Sequence, residues 1–168
     1  MRRARTQARE AVLKALYQLD LRPDLTPEDV DDVLVGEARL GDSLGFAREL
    51  LVGVRKNVDA IDQEVEQVAH NWKLRRMAVI DRNVIRLAAF EIIHRPDIPA
   101  PVTINEAVTI AKKYSTKDSG SFVNGILDKV YQRHRSPEQA PADLEPEPAP
   151  EADLEPQPAA AEEPEPTA

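Results

Sequence analysis

Four arginines at the amino-terminal end are the first residues whose type and spacing suggest chemistry. They are Arg2, Arg3, Arg5 and Arg9. A guanidinium binds two phosphate oxygens through parallel hydrogen bonds, and an arginine-rich segment can become ordered on RNA. A solvated chain terminus also explains a few basic residues. Charge alone therefore leaves both interpretations open.

A second basic group precedes a polar turn. Lys113 and Lys117 are followed by Asp118, Ser119 and Phe122. Proteins that bind single-stranded RNA combine cations, small hydroxyl side chains and an aromatic ring on which bases stack. The alternative interpretation is structural, because lysines at the end of a helix complement its dipole and a single phenylalanine commonly packs in a core.

Two further aromatic residues lie near positive charge along the sequence. Trp72 stands close to Arg76, and Tyr17 lies about two helical turns after Arg9. Either ring could present a stacking surface for RNA bases, although packing at the edge of a core is the more common role. Arg76 and Tyr17 are therefore candidate RNA-binding residues.

Catalytic and metal-binding patterns are missing from the sequence. The chain has no cysteine, which excludes disulfides, thiolate metal sites and cysteine nucleophiles. Its histidines, His70, His94 and His134, are too dispersed for a recognisable metal-binding or catalytic spacing, and no nucleotide-binding loop or nucleophile motif occurs. We expect a binding protein without a cofactor or metal, and not an enzyme.

Charge divides the chain into two parts. Residues 136–168, here called the acidic tail, contain nine prolines, ten acidic residues and no lysine or arginine. A segment with so little apolar surface is predicted to be disordered. Of the 30 acidic residues, 20 then remain for residues 1–135, against 22 lysines and arginines, so this part carries +2 although the whole chain carries −8. We predict a folded domain at 1–135 and a disordered tail at 136–168.

Apolar residues recur at helical spacing, and no segment alternates as a strand would. The first helix is predicted at about 4–19, with an apolar stripe that leaves Arg5 and Arg9 free to point elsewhere. A second begins at Thr26 as N-cap with Pro27 in the first turn and ends near Gly36. An apolar ridge then follows residues 46–68, with its weakest point at 57–60.

The second half of the chain predicts three more helices. One starts between residues 75 and 80, is apolar on more than one side, as a central helix would be, and stops at Pro96. The proline-rich elbow at 96–101 is predicted to be non-helical, and Thr103 with Glu106 forms a capping box for the next helix. The last begins at Ser119 or Ser121, and Gly125 in its interior suggests a close helix contact or a requirement for a short side chain. The fold class is all-α, with six or seven helices.

No apolar run approaches the roughly 20 residues that a membrane-spanning helix needs, and the basic amino terminus leads into an amphipathic helix. We therefore expect a soluble cytoplasmic protein that does not contact a membrane.

Three sequence blocks in this order resemble the NusB family of bacterial transcription factors. They are AREAVLKALYQ at 8–18, FARELLVGV at 46–54, and the continuous block at 81–130 that contains INEAV and ends in DSGSFVNGILDKV. The resemblance implies two small helical subdomains packed together. It also implies binding of boxA-type RNA in nascent rRNA transcripts jointly with the ribosomal protein NusE, within the RNA polymerase antitermination complex.

The resemblance also implies roles for individual residues. It assigns RNA binding to the amino-terminal arginines, Tyr17, Asp118, Ser119 and Phe122, and contact with NusE to Asp81 and Arg86. Thr6 and Gln7 interrupt the arginine run that relatives often carry, which weakens the assignment of single arginines. A homodimer stays open. So do two other functions, an accessory domain related to rRNA cytosine methyltransferases and a helical scaffold that binds only proteins.

Overall fold

The computed structural model describes residues 2–37 and 40–135, which form seven α-helices and no strand within these ranges. The predicted disorder of the acidic tail lies outside the described residues. The helices are α1 Arg2–Leu21, α2 Asp31–Gly36, α3 Leu44–Lys56, α4 Val58–Val68, α5 Val79–His94, α6 Ala100–Tyr114 and α7 Ser119–His134. Two short 3-10 helices, Gly41–Ser43 and Leu74–Arg76, precede α3 and α5. The all-α prediction with six or seven helices is confirmed.

Helix α5 is the centre of the architecture. It packs against one group of helices that contains α1 and α3 and against another that contains α4, α6 and α7. Nearly every residue from Asp81 to Glu91 is buried, and only Arg82 and Arg86 are partly exposed. The prediction of a central helix that is apolar on more than one side is confirmed. Because α5 joins the two helix groups, their apolar residues form one contiguous core.

The apolar ridge at 46–68 divides into α3 and α4 at Asn57, inside the predicted weak segment. Asn57 leaves helical geometry at φ −113° and ψ 12°, and its side-chain amide donates to the Gly53 carbonyl at 2.8 Å. The Gly53 carbonyl also accepts from the Asn57 backbone N–H at 3.2 Å, so the side chain adds a second bond that closes the end of α3. The break lets α3 and α4 pack separately against α5.

The helix predicted from Thr26 begins later than expected. The Thr26 amide and hydroxyl both donate to the Asp29 carboxylate, at 2.7 and 2.9 Å, but the backbone bonds at Asp29 and Asp31 join residues three apart. Such bonds close turns and not α-helical steps. The α-helix therefore starts at Asp31.

The capping box at Thr103 is wrong, and so is the exclusion of the whole elbow from helix. Helix α6 begins at Ala100 with Pro101 in its first turn, where a missing N–H leaves no bond unmade. Thr103 is thus inside the helix, and its hydroxyl donates to Glu91 at 2.8 Å instead of capping. A tertiary partner has replaced the local one.

The close contact expected at Gly125 is also absent, since a Cβ built there would meet nothing within 4 Å. Close approach occurs at Gly53, where a Cβ would lie 2.1 Å from the ring of Phe90. Gly53 is therefore the glycine that allows α3 to pack against α5.

Candidate nucleic-acid interface

The surface between the 3-10 helix Leu74–Arg76 and the start of α7 forms a cavity of about 280 Å³, here called the aromatic groove. Trp72 and Phe122 meet edge to face across it, with ring centroids 5.3 Å apart. Trp72 is 55% exposed, whereas Phe122 is half-buried. The other lining residues are Arg76, Met77, Ala78, Asp81, Thr116, Asp118 and Ser119. Four of the predicted RNA-binding residues, Arg76, Asp118, Ser119 and Phe122, thus share one site.

Hydrogen bonds hold the polar wall of the aromatic groove in place. The Ser119 hydroxyl is buried and donates to Asp81 Oδ2 at 3.1 Å, and it accepts from the Thr116 amide at 3.2 Å. Asp81 Oδ1 is buried without a hydrogen-bond partner in the described residues. Ser119 therefore fixes the turn between α6 and α7 and anchors it to the buried Asp81.

Tyr17 lies beside a second, more apolar cavity, which we call the tyrosine groove. It is lined by Leu13, Lys14, Tyr17, Gln18, Val33, Ile80 and Tyr114. Both grooves use the start of α5, where Ile80 lines the tyrosine groove and Asp81 the aromatic groove. The tyrosine ring, 39% exposed, is available at the surface.

The two predicted lysines differ in their surroundings. Lys113 donates to both carboxylate oxygens of Glu10, at 2.8 and 3.0 Å, and this hydrogen bonding raises the pKa of Lys113. Tyr114 donates to the same carboxylate at 3.0 Å. Lys117 is exposed and forms no ion pair within residues 2–37 and 40–135. Lys117 is therefore the freer cation.

The amino-terminal arginines surround a third surface, about 18 Å along α1 from Tyr17. Arg3 and Arg5 are exposed, and the Arg5 guanidinium lies over the ring of Phe46 at 5.0 Å. Arg95 lies over the same ring at 5.5 Å. Helix α1 includes Arg2, but its side chain is outside what the structure describes. Neither Phe46 nor Arg95 is predictable as part of this surface from the sequence, because Phe46 matches the apolar ridge of the core.

Arg9 does not belong to this exposed surface, so the prediction that it points away from the core is wrong. Its side chain is buried, with Nε 2.7 Å from Glu91 Oε1 and Nη2 2.9 Å from Glu91 Oε2. Glu106 lies 3.8 Å from the same guanidinium. A buried charge needs such partners, and here it joins α1 to α5 and α6.

The side chains predicted to contact a protein partner are engaged within the chain. Asp81 is buried in the aromatic groove and bonded to Ser119. Arg86 donates to both oxygens of Asp62, each at 2.7 Å, and its Nη1 lies 3.5 Å from Asp20. The structure thus places the two residues on different surfaces, and their predicted role is not tested by it.

Metal and membrane features were sought in the described part of the chain. No group of three or more histidine, aspartate or glutamate side chains there could hold a metal ion. None of its helices is both long enough and apolar enough to span a membrane.

Comparison with known proteins supplies the family. A family model described as "NusB family" matches residues 6–132. The transcription antitermination protein NusB of Myxococcus xanthus is 47% identical over 131 residues, which cover 76% of this chain and 94% of the relative. That of Geotalea daltonii is 44% identical over 135 residues, covering 76% and 93%.

Solved structures agree with the sequence relatives. NusB from T. maritima superposes with a TM-score of 0.74 at 40% identity, covering 80% of this chain and 94% of the other. A chain from a crystal structure of the antitermination factors NusB and NusE in complex with dsRNA gives 0.72 at 27% identity, covering 79% and 99%. The family model ends at residue 132, so the whole acidic tail lies outside it.

Proposed function

The chain belongs to the NusB family, and we propose that it is a transcription antitermination factor that binds boxA-type single-stranded RNA together with NusE. The aromatic groove carries this proposal. It joins an exposed tryptophan, a second aromatic ring and an adjacent cation in one concave surface. Base stacking on such rings contributes about 1–3 kcal/mol per base and tolerates many sequences.

Phosphate binding is assigned to the exposed cations near the two ends of the site. Arg76 lines the aromatic groove, Lys117 stands between its lining residues Thr116 and Asp118, and Arg3 and Arg5 add a separate positive surface at the start of α1. These contacts provide attraction that falls as salt rises. Arg9 is not among them because its guanidinium already pairs with two carboxylates. Arg9 would instead position α1.

Base preference is assigned to the polar wall. The exposed Asp118 can accept hydrogen bonds from base amino groups, and the bond from Ser119 to the buried Asp81 holds the turn that carries Asp118 in position. Bases must be unstacked to reach Trp72, which favours single-stranded RNA over a duplex. The solved relative was crystallised with dsRNA, so strand state is a variable that the experiment must include.

A protein partner fits the modest charge of the folded part. With a net charge of about +2 on residues 1–135, the domain attracts RNA weakly, and a basic partner on the same RNA raises affinity through effective concentration. We assign this role to NusE, within an RNA polymerase antitermination complex in the cytoplasm. Contact through Asp81 and Arg86 stays a prediction, and so does the absence of catalysis.

The test is a titration of fluorescent boxA RNA, single-stranded and as a duplex, with and without NusE at several salt concentrations. We expect single-stranded RNA to bind more tightly and NusE to increase affinity. Trp72→Ala should weaken binding by about 5- to 100-fold without changing the salt slope, since stacking carries no charge. Lys117→Gln should reduce the slope by about one.

Lys56→Gln is the matched control for the charge change, because Lys56 is exposed at the end of α3 and lines neither groove. An equal loss of RNA affinity in both lysine variants would show that Lys117 contributes only non-specific electrostatic attraction. Binding of NusE without any RNA affinity would favour the protein-only scaffold. The methyltransferase-related alternative is disfavoured because relatives 47% and 44% identical to this chain are described as transcription antitermination proteins.

A further inference from the structure

The acidic tail contains a short motif twice. Residues 142–146 and 152–156 both have the sequence Ala-Asp-Leu-Glu-Pro. Leu144 and Leu154 are the only large apolar residues between positions 136 and 168, and each stands between two acidic residues. A leucine between two carboxylates is complementary to an apolar pocket that has cations beside it.

The aromatic groove offers the apolar part of such a surface, with cations at and next to its lining residues. Trp72, Met77, Ala78 and Phe122 provide its apolar surface, and the indole of Trp72 is 55% exposed. An amphipathic ring left this exposed beside other apolar residues is typical of a docking surface. Arg76 lines the groove, Arg75 precedes it in the chain, and Lys117 stands between the lining residues Thr116 and Asp118. None of these exposed cations forms an ion pair in the described part of the chain.

Chain length allows the tail to reach this groove. The groove lies at the start of α7, and the tail follows its end, so the two are separated by a helix of 16 residues, about 24 Å long. Leu144 is nine residues after Arg135 and can extend at most about 30 Å from it. Leu154 is 19 residues after Arg135 and can extend about 65 Å. Leu144 can therefore reach the groove only with the intervening chain almost fully extended, whereas Leu154 can reach it without full extension.

We propose that an Ala-Asp-Leu-Glu-Pro motif of the acidic tail docks in the aromatic groove of its own chain. The leucine packs against Trp72 and Phe122, and its flanking carboxylates face Arg75, Arg76 and Lys117. Asp118 on the groove repels these carboxylates, which keeps the docked state weak and reversible. The tail then acts as a salt-sensitive cover over the groove. This proposal does not depend on what else the groove binds.

Trp72 is the only tryptophan of the chain, so its fluorescence reports on the groove directly. At millimolar effective concentration, a motif with a Kd near 1 mM is docked about half of the time. Replacing both leucines in the full-length chain, L144S/L154S, should therefore raise acrylamide quenching of Trp72 by about 1.5- to 2-fold. The control A160S/A161S adds the same two serines outside both repeats and should leave quenching unchanged.

Single substitutions test the reach argument. L154S should produce most of the increase in Trp72 quenching and L144S little of it, because only the second motif can reach the groove without full extension of the chain. High salt should raise quenching of the unmodified chain towards that of the double variant. Equal quenching in all variants at low salt would overturn the proposal. Quenching that depends on protein concentration would also overturn it, since the tail of another molecule would then be the occupant.

An RNA titration separates this proposal from the proposed function. If both hold, L144S/L154S should bind boxA RNA about twofold more tightly than the unmodified chain at low salt, because RNA no longer has to displace a docked tail motif from the groove. If quenching changes but no variant binds RNA, the docking stands and the proposed function fails. If RNA binds all variants equally and quenching is unchanged, the function stands and the docking fails.

Discussion

Arg9 and Glu91 are 82 positions apart in the sequence and form a two-point ion pair in the interior, with N–O distances of 2.7 and 2.9 Å. Glu91 also accepts from Thr103 at 2.8 Å, so one carboxylate joins α1, α5 and α6. The cluster contains two carboxylates, Glu91 and Glu106, and one guanidinium. Glu106 Oε2 is buried without a hydrogen bond in the described residues. Within the described residues, the Arg9 guanidinium is the one positive charge that forms ion pairs with Glu91 and Glu106.

Replacing Arg9 with glutamine should destabilise the fold by about 3–5 kcal/mol, because two carboxylates would stay buried without their cation. Chemical denaturation measures the change. Arg5→Gln is the matched control, since Arg5 is exposed on the same helix, and it should change stability by less than about 0.5 kcal/mol. An Arg9→Gln protein as stable as the original, with reduced RNA binding, would return Arg9 to the RNA-binding surface.

The same ion pair shows where sequence reasoning succeeded and where it failed. Periodicity predicted the helices because the apolar stripe of each is a local pattern that burial enforces. It placed Arg9 outside the core because the partner, Glu91, belongs to another helix far along the chain. Local patterns also favoured a capping box at Thr103, but the hydroxyl found the same Glu91. Long-range partners decided both cases.

The candidate site was predicted in parts and not as a whole. The residues of the turn at 118–122 and Arg76 were chosen separately, and the fold brought them into the aromatic groove with Trp72. Phe46 was assigned to the core from its spacing, although two exposed or half-exposed arginines lie over its ring. Spacing shows which face of a helix an apolar residue occupies, but not whether the residue is fully buried or partly exposed at the edge of the core.

Two glycines in helices provide a stability prediction with opposite signs. Gly53→Ala should destabilise the protein by about 1–3 kcal/mol, because its Cβ would overlap the Phe90 ring and force α3 away from α5. Gly125→Ala should stabilise it by about 0.4–1 kcal/mol, since the site is open and alanine favours helix. Thermal and urea unfolding measure both. Destabilisation by Gly125→Ala would show that a short side chain is needed there for binding or assembly.

Glu10 should restrain Lys113 from binding RNA. Its carboxylate accepts two hydrogen bonds from the lysine, and Glu10→Gln removes the charge that holds it. We expect RNA affinity at low salt to rise about two- to fivefold and the salt slope to increase, because a cation is released for phosphate. Asp59→Asn, an equal charge change at an exposed position of α4, is the control. Equal gains in both variants would assign the effect to net charge alone.

The ion pair between Asp31 and Arg48 joins α2 to α3 and predicts a pH response. Arg48 donates to both carboxylate oxygens, at 2.8 and 2.6 Å, and this hydrogen bonding lowers the pKa of Asp31. A carboxyl whose folded pKa is depressed contributes stability above its unfolded pKa and loses it as pH falls through the folded pKa. The contribution should therefore be complete above about pH 5 and disappear in strong acid.

Carboxyl NMR titration measures this pKa directly. Arg48→Gln should raise the pKa of Asp31 towards its ordinary value, and Arg48→Lys should do so partly, because lysine keeps the charge but not the two parallel bonds. The stability change should be small and should fall with added salt, since both side chains are substantially exposed. An Asp31 pKa that is the same in all three proteins would show that the pair does not form in solution, and α2 would then depend on Leu34 and its apolar neighbours for its attachment to the core.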